Sequence, residues 1–184
     1  WKYHILKNLV LKEPQESSWD NPKRNLHEVS WYFHTRSTEE LGVLHNYFYE
    51  NSEKIFPKTI FELLSPRMIA VWFMDDGSNN GENITMNTHS FSHEEQMRIA
   101  DFFKNYYNFH PTVVKDRTKY KLAFGRKDYA KFIEIVRPFI APSMTYKIAN
   151  PRNDLVRLSL DRSIRMQNGI LTRQFQASGS LEKV

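Results

Sequence analysis

The sequence predicts an α+β protein built from antiparallel β-hairpins and amphipathic helices. Apolar spacing and turn residues give residues 65–147 the order helix, hairpin, helix, hairpin, helix. Hydrophobic residues make up 40% of the 184-residue chain and aromatic residues 14%, which is enough for a globular core. Residues 1–60 show a shorter order: helix, loop, strand, helix. The two parts are compatible with a repeat whose first copy lacks its opening helix and hairpin.

The elements of residues 1–60 follow from local patterns. Apolar residues on one helical face predict a helix over residues 1–11. Residues 13–27 are rich in Pro, Ser and Asn and are predicted to form a loop. The aromatic and β-branched segment Val29–Thr35 is predicted to be a strand. Ser37 followed by Glu40 predicts a capping box that opens the next helix.

The first helix and hairpin of the longer part have clear boundaries. Ser65 is a predicted N-cap, and Pro66 fits the first helical position because that position needs no N–H donor. The segment Arg67–Asp76 that follows is almost uniformly apolar until its last two residues. Residues 78–82 are predicted to form a turn-rich loop and residues 83–88 a strand.

The second helix and hairpin have equally local signals. Ser92 and Glu95 predict a capping box for a long amphipathic helix. Strands over residues 112–115 and 119–124 flank a short turn, which predicts a β-hairpin. Asp128 is predicted to open the last helix, which ends before a proline.

Composition restricts the classes of partner and chemistry. The net charge of +5 and the isoelectric point near 9.3 favour a polyanionic partner, most simply nucleic acid. The chain has no cysteine, which excludes disulfides, thiol catalysis and cysteine-based zinc sites. No apolar run approaches the roughly 20 residues of a membrane span, so no membrane partner is expected. Because Trp1 already fits a helical face, we expect further sequence before it, in a longer chain or in another polypeptide.

The most informative segment ends in Asp75, Asp76 and Gly77. Carboxylates at the C-terminal end of a helix face the negative end of the helix dipole, which is unfavourable. A bound divalent cation would compensate for this arrangement. The alternative is an ordinary Asp-Asp-Gly turn that follows a core helix.

Five segments carry a resemblance to a known family. Ile69–Gly77, with the run W-F-M-D-D-G, resembles the second acidic helix of the LAGLIDADG homing endonucleases of organellar introns. Ile84–Phe91 resembles the strand and N-cap that follow it, and Arg137–Lys147 resembles the closing P-x-M-x-Y-K signature. Trp31–Phe48 and Lys54–Pro57 resemble the segment that joins the two halves. The resemblance covers the chain up to its C-terminal tail.

The family resemblance implies a homing-endonuclease-like α+β fold, with antiparallel sheets and helices packed on one face. Residues 1–60 would form a partial first half and residues 61–148 a complete second half of the αββαββα type. Residues 149–184 would form a basic C-terminal extension. The arginines of this extension fit an RNA-associated tail: Arg152, Arg157, Arg162, Arg165 and Arg173.

The resemblance also implies a catalytic arrangement. In the family two acidic helices pack side by side, and their carboxylates share Mg²⁺ ions that activate water and stabilise the leaving 3′-oxygen. By position, Asp76 matches the metal-binding catalytic carboxylate, with Asp75 as a neighbour that caps or positions the site. Lys147 matches the family's active-site lysine, which polarises water or offsets phosphate charge; the alternative is an ordinary surface lysine.

Two surfaces are implied as well. Ala70 and Met74 are expected to face the partner helix, or alternatively to pack in an ordinary core. The family's sheets lie in the DNA major groove, which admits a β-ribbon. The basic residues of the second hairpin are therefore predicted to contact nucleic acid, with a solvated surface as the alternative: Lys115, Arg117, Lys119 and Lys121.

The sequence departs from the family pattern because it contains one acidic motif where a monomeric member has two. Asp76 then lacks a carboxylate partner within the chain, and cleavage by this chain alone is not expected. Three explanations stay open: a separate polypeptide supplies the missing first half, two copies pair through the acidic helix, or the nuclease has decayed.

These considerations define two hypotheses for function. The first is a site-specific DNA endonuclease that uses Mg²⁺ and is completed by a second fragment or chain. The second is a non-catalytic RNA-binding descendant, either an intron maturase or a ribosome-associated protein, which would need no metal. The resemblance implies an organellar location, in a mitochondrion or a chloroplast, for both.

Overall fold

The computed structural model describes residues 1–149, and the chain divides into two compact units at Ile60 and Phe61. The predicted basic extension, apart from Ala149, lies outside the described residues. Within the described part of the chain, no helix combines the length and the apolar character needed to cross a membrane.

The first unit is a helix, a long hairpin and a second helix. Its β-hairpin has seven antiparallel pairs, from Gln15 with Tyr32 to Asn21 with Leu26. A 3-10 turn at Lys7–Leu9 follows the first helix. The elements are α1 Lys2–Leu6, β1 Gln15–Asn21, β2 Leu26–Tyr32, α2 Glu39–Phe48, β3 Tyr49–Glu50 and β4 Glu53–Lys54.

Three sequence predictions in this unit were wrong in detail. The predicted loop over residues 13–27 contains strand β1, whose sequence Q-E-S-S-W-D-N shows no apolar alternation, so only its pairing with β2 reveals it. The first helix ends at Leu6 instead of residue 11. The N-cap of α2 is Thr38 and not Ser37: the Thr38 hydroxyl oxygen accepts from the Leu41 amide at 3.3 Å.

The second unit has the predicted order αββαββα, followed by 3-10 turns at Arg137–Phe139 and Pro142–Lys147. The α+β fold class is therefore confirmed. The elements are α3 Pro66–Asp76, β5 Gly77–Asn79, β6 Ile84–Met86, α4 His93–Tyr107, β7 Thr112–Asp116, β8 Lys119–Phe124 and α5 Arg126–Val136.

The helix starts of this unit were mostly predictable. The Ser65 hydroxyl accepts from the Met68 amide at 3.4 Å. Ser92 and Glu95 form a capping box: the Glu95 amide donates to the Ser92 hydroxyl at 3.2 Å, and the Ser92 amide donates to the Glu95 carboxylate at 2.7 Å. Asp128 is the exception, because α5 begins two residues earlier and its N-cap is Gly125.

The four strands form one antiparallel sheet in the order β5-β6-β8-β7. Its inner face carries fully buried side chains, among them Leu122 and Phe124. The ring of Phe124 lies edge-on to the ring of Phe103 of α4, with 4.9 Å between the ring centres. The centre of the Phe132 ring of α5 lies at the same distance from that of Phe124. Helices therefore cover one face of the sheet and fix the strands that surround the end of α3.

A buried polar network joins α4 to the sheet. The Gln96 side chain is fully buried, and its amide nitrogen donates to the carbonyls of Phe91 at 3.1 Å and Tyr120 at 2.9 Å. The Thr88 hydroxyl donates to the Gln96 amide oxygen at 2.8 Å and accepts from the Leu122 amide at 3.2 Å. A satisfied network of this kind holds its elements in one register, because each unmade bond would leave a buried polar group without a partner.

Candidate acidic helix end and nucleic-acid interface

The acidic end of α3 runs directly into the sheet. Asp76 is the last helical residue, its side chain is partly exposed, and its carbonyl accepts from the Asn87 amide at 3.0 Å. Gly77 begins β5 and donates its amide to the Phe73 carbonyl. A Cβ atom at Gly77 would lie 2.0 Å from Cδ2 of Phe73, so only glycine allows this close turn from helix to strand. The carboxylate of Asp76 is therefore placed where the helix meets the sheet.

Lys147 lies at the same helix end. Its ammonium donates to the carbonyl oxygens of Gly77 at 2.7 Å and Phe73 at 3.4 Å, and it sits 5.9 Å from the centre of the Phe73 ring. Carbonyls near the C-terminal end of a helix carry partial negative charge, so a lysine there is stabilising. The tertiary structure thus places Lys147 against Gly77, the residue that follows Asp76.

The segment that carries Lys147 is itself anchored to β5. The Asn79 side-chain amide donates to the carbonyls of Lys147 at 3.0 Å and Ala149 at 2.9 Å. Sequence reasoning missed Asn79 because its partners lie about 70 positions away along the chain. These bonds limit the positions that the ammonium can adopt.

The exposed face of α3 does not carry the two residues that were expected to contact a partner helix. Ala70 and Met74, expected to face a partner helix, are only 0% and 3% exposed, and the Met74 sulfur accepts from the Ala141 amide at 3.2 Å. They leave no surface for another helix, so their core-packing alternative describes this structure. The exposed side chains of α3 are instead Arg67, Met68 at 38%, Val71 at 39% and Asp75.

A divalent cation does not fit a site made from the described residues alone. Among residues 1–149, no three His, Asp or Glu side chains cluster closely enough to hold a metal ion. Hard cations such as Mg²⁺ are usually held by several oxygen ligands. A metal site that included Asp76 would therefore need at least one more carboxylate from outside the described residues.

The open face of the sheet is defined by the pairing register. Directly paired residues share a face, and Lys121 pairs with Val114 while Lys119 pairs with Asp116. Lys115 pairs with Tyr120, so it emerges from the other face and does not join the two lysines. The open face carries mostly small or polar side chains: Ser78, Thr85, Thr112, Val114, Asp116, Lys119, Lys121 and Ala123.

The predicted basic residues of the second hairpin differ in environment. Arg117 lies in the exposed turn, with a positive φ of 57°. Lys119 is exposed, and no carboxylate within residues 1–149 forms an ion pair with it. Lys121, in contrast, is ion-paired: its ammonium lies 2.8 Å from Oδ2 of Asp116. The four basic residues therefore do not form one equivalent set.

Asp116 is the centre of a small cluster that sequence reasoning missed. Its Oδ2 atom lies 2.8 Å from the Lys121 ammonium and 3.1 Å from Nε2 of His89. The Lys121 hydrogen bond lowers the pKa of the Asp116 carboxyl below its ordinary value, and the His89 hydrogen bond adds to this effect. His89 precedes Asp116 by 27 positions, so only the fold brings these groups together.

A family model and several relatives match the chain. The model of the LAGLIDADG DNA endonuclease family matches residues 1–132. A probable intron-encoded DNA endonuclease of Mycosarcoma maydis is 30% identical over 126 residues, which cover 65% of this chain and 93% of the relative. The DNA endonuclease I-ChuI of Chlamydomonas applanata is 28% identical over 166 residues, covering 81% of this chain and 76% of the relative.

Other matches extend the comparison to maturases and to a solved structure. The cytochrome b mRNA maturase bI2 of Debaryomyces hansenii is 28% identical over 120 residues, which cover 64% of this chain and 46% of the maturase. The chain thus spans less than half of that relative. The homing endonuclease I-WcaI, solved with its DNA recognition sequence, superposes with a TM-score of 0.72 at 24% identity, covering 80% of this chain and 68% of that one. This last likeness establishes a shared fold.

Proposed function

Because the chain belongs to the LAGLIDADG DNA endonuclease family, we propose that it binds duplex DNA and contributes Asp76 to a phosphodiester-cleaving centre. One observation carries the proposal: α3 ends in Asp76, and the next residue begins a sheet whose second face is open. A carboxylate so placed would meet the phosphate backbone when the sheet enters the major groove, which is wide enough for β-strands. Lys147, held at the same helix end, adds positive charge beside it.

The first unit supports the proposal that a second acidic helix is supplied from elsewhere. Its order α1, β1, β2, α2 repeats the order α4, β7, β8, α5 of the second unit. Strand β8 pairs with both β7 and β6, whereas its counterpart β2 pairs only with β1 among the described residues. Among the described residues, the repeat thus shows no counterpart of α3, β5 and β6. We place the second carboxylate on such a counterpart, supplied by a second fragment or a separate chain.

Mg²⁺ is the cation that we propose for the assembled centre, since paired carboxylates are ligands that it accepts. No catalytic step is assigned to this chain by itself, because Asp76 is a single carboxylate. The intron-encoded relatives support an organellar location, in a mitochondrion or a chloroplast.

A second candidate function follows from the maturase match. If the same open sheet face serves RNA, the chain is a non-catalytic RNA-binding protein, such as an intron maturase or a ribosome-associated protein. This alternative requires neither a cation nor a second acidic helix. It predicts salt-sensitive RNA binding without cleavage.

Selection from two randomised nucleic-acid libraries distinguishes the two candidate functions. The full chain is incubated in EDTA with a duplex DNA library and, separately, with a structured RNA library, and bound molecules are sequenced. Enrichment of one duplex motif supports the DNA-binding proposal, whereas enrichment from the RNA library alone overturns it in favour of the second candidate.

Cleavage of the selected duplex is then tested in Mg²⁺ with a fusion that places a second copy of residues 64–87 before Trp1. The native chain should bind without cutting, and the fusion should cut if the second acidic helix restores the centre. Fusion proteins that retain binding but leave the duplex intact would contradict the proposed completion by a helix of this pattern.

A further inference from the structure

The cluster of Lys121, Asp116 and His89 has little net charge, which distinguishes it from an ordinary phosphate contact. Lys121 is neutralised by Asp116 at 2.8 Å, and the three side chains are only 25% to 34% exposed. Lysines that bind phosphate release counterions and contribute to the salt dependence of binding. An aspartate beside the ammonium repels phosphate, so this position is poorly suited to the DNA backbone.

The same cluster offers a directional pattern of donors and acceptors. Both the Lys121 and the His89 bonds end on Oδ2 of Asp116, and no donor among residues 1–149 bonds to Oδ1. The ammonium has three N–H donors, of which Asp116 uses one. A donor and an acceptor therefore stand next to each other on the open face of the sheet.

In the major groove a G·C pair presents a complementary pattern. Guanine offers the acceptors N7 and O6, and the cytosine amino group offers a donor beside them. An A·T pair has its donor and acceptors in a different order and adds a methyl group. Lysine to guanine and aspartate to cytosine are both favoured pairings at base edges.

The surroundings allow a base edge to approach. Lys121 is paired across the strands with Val114, and the next residue of β8 on the same face is Ala123. Ala123 is in turn paired with Thr85 of β6. Val114, Ala123 and Thr85 all have shorter side chains than Lys121, so on this side of the pair they do not shield it from a base edge.

From this arrangement, and resting on the proposed function, we propose that Lys121 and Asp116 together read one G·C base pair in the major groove. Lys121 would donate to O6 and N7 of the guanine, and Oδ1 of Asp116 would accept from the amino group of the cytosine. His89 acts as a positioning residue, because its hydrogen bond holds Oδ2 and so sets the direction of Oδ1.

The test compares the sequence preference and the salt dependence of full-length variants. The duplex motif selected by the native chain is prepared with each base pair substituted in turn, and binding is measured by fluorescence anisotropy in EDTA over a KCl series. The variants are Lys121→Gln and Asp116→Asn, with Lys119→Gln as the matched lysine control on the same face. Discrimination between duplexes is a ratio measured on one protein, so a modest loss of stability cancels.

The expected result is loss of discrimination at the same single G·C position in both cluster variants. The native chain should prefer G·C there by about tenfold, and the variants should show little preference. The slope of log affinity against log salt should stay unchanged in Lys121→Gln. In Lys119→Gln it should become shallower by about one, with weaker binding to every duplex.

Two results overturn the inference. If Lys121→Gln lowers the salt slope as Lys119→Gln does and keeps the preference at every position, Lys121 contacts phosphate. If neither cluster variant changes slope or preference, the cluster does not contact DNA. Both results differ from a failure of the proposed function. In that case the native chain itself binds no duplex DNA, and the inference about Lys121 and Asp116 fails as well.

Discussion

The ammonium of Lys147 lies 2.7 Å from the carbonyl oxygen of Gly77, the residue directly after Asp76. The bond crosses 70 positions of sequence and joins the end of α3 to the segment that closes the described chain. Lys147 thus has a structural role at the helix end in addition to any role toward phosphate. The structural role can be measured by itself, as stability in the absence of nucleic acid.

Lys147→Met should lower stability even without nucleic acid. The change removes a charged donor from the carbonyls of Gly77 and Phe73, and a hydrogen bond from a charged group contributes about 1.5–3 kcal/mol. We expect thermal unfolding to shift down by roughly 3–10 °C in a protein of this size. Lys127→Met, at an exposed position of α5, is the control; equal melting temperatures for the two variants would contradict the structural role.

Asp76→Asn should abolish cleavage by the completed protein and leave DNA binding nearly unchanged. The substitution keeps the size of the side chain but removes the charge that a cation requires. Cutting is measured on the selected duplex with the fusion described above, and affinity is measured in EDTA. Asp101→Asn, an exposed position on α4, makes the same charge change and should cut normally. Normal cutting by Asp76→Asn would remove Asp76 from the catalytic centre.

Gly77→Ala should destabilise the second unit. The backbone of Gly77 has an ordinary negative φ, so the cost is steric: the new methyl group would lie 2.0 Å from the ring of the buried Phe73. Overpacking of this kind costs about 1–3 kcal/mol of unfolding free energy. The measurement is urea denaturation followed by circular dichroism.

Gly42→Ala provides the opposite control. Gly42 lies inside α2, and a Cβ atom there would have no heavy atom within 4 Å. The substitution should stabilise α2 by about 0.5–1 kcal/mol, because alanine loses less backbone entropy in a helix. A stability change of the same sign in both variants would show that the contact with Phe73 does not decide the outcome at Gly77.

Asp116 should titrate below an ordinary aspartate, whose pKa is about 3.9. The Lys121 hydrogen bond is the main cause of the lowered pKa, so Lys121→Gln should raise it toward the ordinary value. A lowered pKa in the folded state adds stability above the unfolded-state value, and that stability disappears as the pH falls through the folded-state pKa. Carboxyl carbon shifts in an NMR titration measure both values. An unchanged Asp116 pKa in Lys121→Gln would refute the assigned cause.

Gln96→Met should be strongly destabilising despite the similar size of the two side chains. It leaves the carbonyls of Phe91 and Tyr120 without the Gln96 amide donor and the buried Thr88 hydroxyl without its Gln96 acceptor. Each buried polar group left unsatisfied costs about 1–3 kcal/mol, so a total near 3 kcal/mol is expected by denaturant unfolding. Asn105→Met, on the exposed side of the same helix, should change stability by less than about 0.5 kcal/mol. Similar effects at the two positions would show that the network is not needed.

Local interactions made parts of the fold predictable from sequence. The caps at Ser65 and Ser92 depend on bonds between residues three positions apart, and the second hairpin on a short turn between patterned strands. Strand β1 was missed because polar residues on both of its faces carry no such signal. Its existence depends on pairing with β2, which is a contact between segments.

Three features could be predicted from the amino-acid sequence alone: the α+β class, the order of elements in residues 65–147 and the position of Asp76 at the end of an apolar helix. Each depends on side-chain periodicity or on contacts within one turn of chain. The folded structure was needed to show that Ala70 and Met74 are buried, that Lys147 donates to carbonyls at the end of α3 and that Asp116 neutralises Lys121. Burial and ion pairing depend on which distant segments meet in space, and no local pattern specifies that.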